Sequence, residues 1–372
     1  MEDDNMRFLG YSRLRTDLPG GRHANIYTMR AMACGVDENA KPRQIAGELA
    51  DERTSTQFAG WSPDGELAII GRYWKDPDAA DREEREKNFL HIAGNLLYDS
   101  WLVNFETGEK TNVTAVDRIS FYNAGLKYWP NDPDKLTFQA IINGRGHPII
   151  MNKDGTGKRD LLETGKGFTY GAVPSPDGKT LAYQTDYKIR IEYGGEMITI
   201  NTGFDFNFGP LWSPDGKWLS FVAGNTHKTP DSVYLVSNDG KTLRKLCDRG
   251  GYRGYMLFLD VPDYHEGSSD VPVWASDGSC IYLTRADSGT LDIWKTDLSG
   301  NLTRLTNTAA GVNNYHPSPS PDGKLICFGS DMSGTRQLHI MRSDGYDSRQ
   351  LTHVPRHNAA MWAYWRPTDN HS

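Results

Sequence analysis

Short runs that alternate between apolar and polar residues recur along the whole chain, and each run follows a polar turn. Successive side chains of an extended strand face opposite ways, so this alternation predicts half-buried β-strands. The clearest runs are Leu67-Ala-Ile-Ile, Leu136-Thr-Phe-Gln-Ala, Leu181-Ala-Tyr-Gln-Thr, Trp218-Leu-Ser-Phe-Val, Ile281-Tyr-Leu-Thr and Leu325-Ile-Cys-Phe-Gly. The pattern predicts an all-β protein built from short strands.

The turn that precedes each run is itself a repeat. Its five copies are Trp61-Ser-Pro-Asp-Gly, Pro174-Ser-Pro-Asp-Gly, Trp212-Ser-Pro-Asp-Gly, Trp274-Ala-Ser-Asp-Gly and Pro319-Ser-Pro-Asp-Gly. Degenerate copies stand at Trp129-Pro-Asn-Asp-Pro-Asp and Trp365-Arg-Pro. Proline presets φ, aspartate can bond the backbone two residues on, and glycine tolerates positive φ. The motif therefore predicts a tight turn between the first and second strands of each repeat.

Each repeat has room for four strands, as the last full copy shows. There Gln337-Leu-His-Ile-Met and Ser348-Arg-Gln-Leu-Thr follow Leu325-Ile-Cys-Phe-Gly as predicted third and fourth strands, each after a polar turn. Four short antiparallel strands per repeat make one blade of a β-propeller. Counting the copies gives a seven-bladed β-propeller that forms a single domain over residues 1–372.

The two chain ends are predicted to close the ring. The run Met361-Trp-Ala-Tyr-Trp365 needs partner strands that only the N-terminus can supply. Phe8-Leu-Gly-Tyr-Ser-Arg and Asn25-Ile-Tyr-Thr-Met-Arg fit the second and third strands of that blade. Pairing of the N- and C-terminal strands would remove the exposed edges that endanger open sheets.

Composition excludes several classes of protein. The 372 residues include 41 basic and 48 acidic residues, for a net charge of −7. Such a chain lacks the basic face that nucleic acid demands, and no apolar run approaches the roughly 18 residues that cross a bilayer. The four scattered cysteines show no metal-binding or disulfide spacing. We expect a cytoplasmic protein, or a periplasmic one if a leader has been removed, that binds neither nucleic acid nor membrane.

The repeat resembles the TolB-like propeller repeat, also called the WD40-like or PD40 repeat, over nearly the whole chain. Its fullest copy, Tyr315-His-Pro-Ser-Pro-Ser-Pro-Asp-Gly-Lys, is similar to that of cytosolic oligogalacturonate lyases. That resemblance implies β-elimination of acidic disaccharides and a divalent metal held by several histidines and a glutamine. The run Asn314-Tyr-His316 matches one of the family's paired histidines, and Asp270 stands where the family has a further histidine. Other propellers of this class are non-catalytic protein-binding modules, which is the alternative function.

Two long intervals interrupt the repeat. The first lies between Asp64 and the Asp132 region and contains a run of mixed charges that starts at Lys75, which fits a solvated loop or a lid over the channel. The second lies between Asp215 and Asp277 and is chemically denser. Its candidate groups are Tyr252, Arg253, Asp260, Asp263, His265 and Asp270. Function on propellers is carried by loops on a rigid scaffold; a salt bridge between Arg253 and an aspartate that merely holds the loop is the alternative.

Register points to the mouth of the channel. The residues four positions before each motif should converge there: Gln57, Tyr170, Phe208, Asp270 and Tyr315. Together with neighbouring polar residues, these side chains could stack on a sugar and form hydrogen bonds to it. Alternatively, they form hydrogen bonds to one another in a water-filled channel. The predicted substrate-binding residues are Arg22, His23, Gln57, Tyr122, His147, Tyr170, Asn207, Asp270 and Tyr315.

β-Elimination from a uronate needs a cation for the carboxylate, a base for the α-proton and an acid for the leaving oxygen. The predicted catalytic residues are His316, His265, Tyr252 and Arg253. Tyr170 is the alternative to Tyr252 as proton donor, and Arg22 is the alternative to Arg253 as the cation for the carboxylate. The cofactor is left open; a divalent cation, manganese or calcium, would use His316, His265 and Asp270. The expected partner is an acidic oligosaccharide, or a protein under the alternative. A structural role stays open for each histidine.

Overall fold

The computed structural model describes residues 7–18, 25–37, 40–74, 85, 97–114, 126–142, 145–162, 169–226, 228–254 and 270–367. Most of the charged segment after Trp74 and residues 255–269 of the second insertion lie outside these ranges. Among the described residues, no helix has the length and apolar character required to span a membrane.

The described chain forms seven four-stranded antiparallel sheets, which are the blades of a ring. Their first strands are β28 (Asn358–Trp365), β4 (Thr54–Trp61), β8 (Lys127–Trp129), β12 (Thr169–Pro174), β16 (Phe206–Trp212), β20 (Val273–Trp274) and β24 (Asn314–Pro319). The second strands are β1 (Phe8–Arg15), β5 (Leu67–Trp74), β9 (Asp132–Ile142), β13 (Thr180–Thr185), β17 (Trp218–Gly224), β21 (Cys280–Asp287) and β25 (Leu325–Ser330).

Two further strands complete each blade. The third strands are β2 (Arg30–Gly35), β6 (Leu97–Asn104), β10 (Arg145–Asn152), β14 (Lys188–Tyr193), β18 (Ser232–Ser237), β22 (Thr290–Asp297) and β26 (Gln337–Arg342). The fourth strands are β3 (Arg43–Gln44), β7 (Lys110–Asn112), β11 (Arg159–Asp160), β15 (Glu196–Thr199), β19 (Leu243–Asp248), β23 (Leu302–Arg304) and β27 (Arg349–Gln350). A short 3₁₀ helix, Gly47–Leu49, precedes β4. Several pairs of first strands from neighbouring blades, such as β12 with β16 and β28 with β4, contact one another and so form the inner wall. By contrast, β15 is exposed at every position.

The repeated motif forms the turn that the sequence predicts. In the first copy the Gly65 N–H donates to the carbonyl of Ser62 (2.9 Å), and the Ser62 hydroxyl accepts the N–H of Leu67 (2.8 Å). Asp64 accepts the N–H of Glu66, two residues on (3.0 Å). Gly65 has a φ of +72°, a backbone conformation that glycine adopts readily because it lacks a Cβ. Each turn therefore closes on its own residues, which explains why it recurs with so little change.

Tryptophan at the end of a first strand ties its blade to the preceding one. The indole N–H of each donates to a backbone carbonyl of the neighbouring first strand. The bonds run from Trp61 to Tyr364 (3.0 Å), Trp212 to Val173 (3.1 Å), Trp274 to Leu211 (3.2 Å) and Trp365 to Ser318 (2.8 Å). The tryptophan of the motif is thus an inter-blade contact, and apolar clusters between adjacent blades, such as that of Ala182 with Phe221, complete the core.

The chain ends pair as predicted: β1 is antiparallel to β28, and Leu9 lies opposite Trp365. This confirms the seven-bladed all-β propeller and its closure by N- and C-terminal strands. The expectation that the third strand of this blade begins at Asn25 was wrong. The Thr28 hydroxyl and N–H both donate to the Asn25 carbonyl, so this segment turns and the strand begins at Arg30.

Candidate functional site

A β-bulge interrupts several inner strands three residues before the motif. Gly171 and Gly209 occupy this position in two blades, with φ of +65° and +68°. His316 and Trp362 occupy it in two others, with φ of +52° and +54°. The left-handed region costs a non-glycine residue about 1–2 kcal/mol. Bulges near functional sites re-aim a side chain, so a strained histidine where other blades have glycine is a candidate functional residue.

Two side chains hold the His316 backbone in place. Its N–H donates to the Thr284 hydroxyl (3.1 Å) and, at 3.4 Å, to the Asp270 carboxylate. The imidazole lies edge-on to the ring of Tyr315, with 5.3 Å between ring centroids, and its nitrogens are shielded from solvent. The last residue of the second insertion thus contacts the strained histidine of the next blade.

Asp270 belongs to a buried polar network centred on Arg249, which is fully buried. The Arg249 guanidinium donates to the backbone carbonyls of Asp270 (2.8 Å) and Thr284 (3.3 Å), and it lies 4.4 Å from the ring centroid of Tyr252. The Tyr252 hydroxyl donates to the Asp270 carboxylate (2.9 Å). Burial, followed by the negative charge of Asp270, raises the pKa of Tyr252 well above its usual value. Tyr252 is therefore a protonated donor at neutral pH.

A small cavity opens among the first strands of neighbouring blades, at the same register level as His316. Its volume is about 60 Å³. The lining residues are Lys127, Gly171, Val173, Phe208, Gly209, Pro210, Leu211 and Val271. A Cβ built on Gly209 would come 2.7 Å from the Val271 side chain, so a side chain at position 209 would collide with this wall. Burial lowers the pKa of the Lys127 ammonium.

The structure brings together Tyr252, Asp270 and His316 of the predicted site. Three residues of this region were missed: Arg249, Thr284 and Lys127. Arg249 opens the chemically dense insertion, and Lys127 is a charged residue just before the degenerate motif at Trp129; these are weak signals, since neither position indicates how the fold encloses the side chain. Thr284 carried none, since threonine is ordinary in a β-strand.

Other predicted residues have local partners. Gln57 accepts a hydrogen bond from the Tyr73 hydroxyl. The side-chain amide of Asn207 donates to the carbonyls of Tyr187 and Phe204. His147 lies on the third strand of its blade and pairs with Asp160 at 2.6 Å. Tyr315 is buried and packs over Gly329, where a Cβ would be 2.2 Å from its ring. Arg253 is exposed. His265, Arg22, His23, Tyr122 and the side chain of Tyr170 lie outside the described residues.

Within the described ranges, no group of three or more His, Cys, Asp and Glu side chains is placed to hold a metal ion. Of the three candidate ligands only His316 and Asp270 are described. The Asp270 carboxylate already accepts the Tyr252 hydroxyl and the His316 N–H. These two residues do not make a metal site, and we derive no step through a metal.

No family model matches the chain. Dipeptidyl-peptidase 5 of Porphyromonas endodontalis is 25% identical over 228 residues, which are 59% of this chain and 30% of that protein. An uncharacterized protein of Agrobacterium fabrum is 29% identical over 137 residues, which are 35% of this chain and 44% of that protein. The chain thus spans less than half the length of these curated relatives.

Solved structures agree on the architecture. Oligogalacturonate lyase in complex with manganese is 13% identical, with a TM-score of 0.58 over 88% of this chain and 84% of that one. TolB of Acinetobacter baumannii is 13% identical, with a TM-score of 0.53 over 97% of this chain and 66% of that one. The chain shares its fold with both. The likeness extends to the fold alone, because one propeller architecture hosts unrelated functions.

Proposed function

We propose that the protein is a carbohydrate-active propeller that cleaves a uronic-acid-containing oligosaccharide by β-elimination. The observation that carries the proposal is His316, a histidine held at positive φ in an inner-strand bulge beside the carboxylate of Asp270. Histidine has a pKa near neutral, which suits it to remove a proton next to a carboxylate.

In this proposal His316 is the base. It takes the α-proton of the uronate, the electron pair forms the new double bond, the bond to the leaving oxygen breaks, and that oxygen takes up a proton. Tyr252 is the proposed proton donor, because its phenol is the protonated group that lies against the Asp270 carboxylate beside His316. Its hydrogen bond to Asp270 has to exchange for one to the leaving oxygen. His265 and Arg253 remain proposed participants.

A substrate panel tests the reaction class. The wild-type protein is mixed with oligosaccharides of galacturonate, glucuronate, mannuronate and guluronate, and with a neutral galactose oligomer as control. The unsaturated product of β-elimination absorbs ultraviolet light, whereas the product of hydrolysis does not. We expect absorbance to rise with at least one uronide and not with the neutral oligomer. New reducing ends without absorbance would show hydrolysis and refute the proposal.

The second candidate is a non-catalytic protein-binding propeller. It is favoured by the outer edge of the fourth blade, where Tyr193, Met197 and Ile198 are exposed, at 61%, 52% and 38%. Exposed apolar side chains on an open strand edge are typical of a surface that pairs with another chain. A stoichiometric partner whose capture is lost in Met197→Lys, together with no product across the panel, would favour this function over catalysis.

A further inference from the structure

We propose that Lys127 is the anion-binding group of the channel and that the cavity beside it takes the carboxylate of an acidic ligand. Lys127 lies on β8, the first strand of the third blade, and lines the cavity of about 60 Å³. The proposal rests on the proposed function for the identity of the ligand as a sugar acid. It does not need the ligand to be cleaved.

Among the described residues, none neutralises the positive charge of Lys127. Across the part of the chain that the structure describes, Lys127 has neither a hydrogen bond nor an ion pair, whereas other lysines, such as Lys110 and Lys153, pair with carboxylates. The other residues of the cavity wall are glycine, valine, phenylalanine, proline and leucine, which contribute no acidic side chain. Lys127 is half-buried, and an ammonium that loses part of its hydration without a charged partner is destabilised. A bound anion would supply the missing partner.

Charge and volume select the class of anion. One ammonium balances one carboxylate, whereas a doubly charged phosphate would leave a negative charge among apolar walls. A cavity of about 60 Å³ holds a few water-sized groups. A carboxylate fits that volume, and the sugar ring that carries it would extend into the channel.

The position of the cavity connects it to the polar cluster. Val271 forms part of the wall and directly follows Asp270 in the chain. Gly171 and Gly209 of the wall stand at the bulge position that His316 occupies in its own blade. A carboxylate at Lys127 would therefore lie at the register level of the proposed base.

The test measures binding without turnover. Isothermal titration calorimetry compares D-galacturonate, D-galactose and inorganic phosphate on the wild type, Lys127→Met, Lys127→Gln and the control Lys179→Met. Lys179 is an exposed lysine on the turn of the next blade, so its variant makes the same charge change outside the cavity. We expect galacturonate to bind the wild type and Lys179→Met equally, and both Lys127 variants at least about tenfold more weakly. Galactose should bind all four proteins alike.

Thermal unfolding keeps the test interpretable. Because Lys127→Met removes a half-buried charge that has no ion-pair partner in the described part of the chain, we expect its Tm to equal or exceed that of the wild type; if it does not fold, Lys127→Gln carries the comparison. Unchanged galacturonate affinity in a folded Lys127 variant would overturn the inference, as would binding of phosphate in place of the carboxylate. Galacturonate binding that depends on Lys127, with no unsaturated product from any uronide, would sustain this inference and refute the proposed function. Formation of unsaturated product with a KM that is unchanged in the Lys127 variants would support the proposed function and refute this inference.

Discussion

Replacing Arg249 by methionine removes the centre of the buried network and keeps most of the apolar stem. The guanidinium donates to two buried carbonyls, at 2.8 and 3.3 Å, and lies 4.4 Å from the Tyr252 ring. Methionine would leave those carbonyls without these donors and the Asp270 carboxylate without the nearby positive charge. Removing one partner from a buried charged network costs about 3–5 kcal/mol. We expect Arg249→Met to lower the free energy of unfolding by that amount.

The assay is equilibrium unfolding in urea, followed by tryptophan fluorescence, with the midpoint read at constant m-value. Arg285→Met is the matched control. The Arg285 guanidinium also donates to a carbonyl, that of Asp248 at 3.1 Å, and lies 4.8 Å from the ring of Trp294, but it is only half-buried. We expect the control to cost about 1 kcal/mol or less. Equal losses for the two variants would contradict this expectation, since burial of the network would then contribute nothing.

Three further predictions concern the scaffold. Ser213→Ala removes a buried hydroxyl that donates to Asp215 (2.6 Å) and accepts a turn N–H, so we expect a loss of about 1–2 kcal/mol in urea unfolding. Trp274→Phe deletes one inter-blade hydrogen bond and part of a buried indole, which should cost about 1–3 kcal/mol by the same assay. Burial, followed by the charge of His353, lowers the pKa of His339 from 6.5 to about 4. The folded state therefore binds this proton less readily, and its stabilising contribution is complete above pH 6.5 and lost as the pH falls towards 4. Between pH 6.5 and 4 this effect changes the free energy of unfolding by up to about 3 kcal/mol, and we expect His339→Gln to remove that pH dependence.

The blades could be predicted from sequence because the signal for each is local. Ser62, Asp64 and Gly65 make their turn with one another, so the same letters give the same turn wherever they occur. The third strand of the first blade was misplaced because Asn25-Ile-Tyr-Thr-Met-Arg has the composition of a strand. Its turn depends on Thr28 bonding to the Asn25 carbonyl, and alternation of residue types does not report such a bond.

The site was only partly predictable, for reasons of register and burial. Asp270 and His316 could be placed together because the spacing to the motif fixes their level in the ring. Arg249 was missed because a loop arginine is ordinarily exposed, and only the fold shows that this one is fully buried. Lys127 was missed because the motif that follows it, at Trp129, is degenerate. The spacing to that motif therefore did not fix the height of Lys127 along the channel.

The most direct test of the account is the rate of unsaturated product formation by His316→Asn, on the uronide that the wild type cleaves. Asparagine tolerates positive φ and cannot act as a base, so the variant should fold with an unchanged Tm. His353→Asn, an exposed histidine near the same blade, is the control. We expect kcat to fall by a factor of about 10²–10⁴ in His316→Asn and to stay at the wild-type value in the control. Full activity in a folded His316→Asn variant would contradict it.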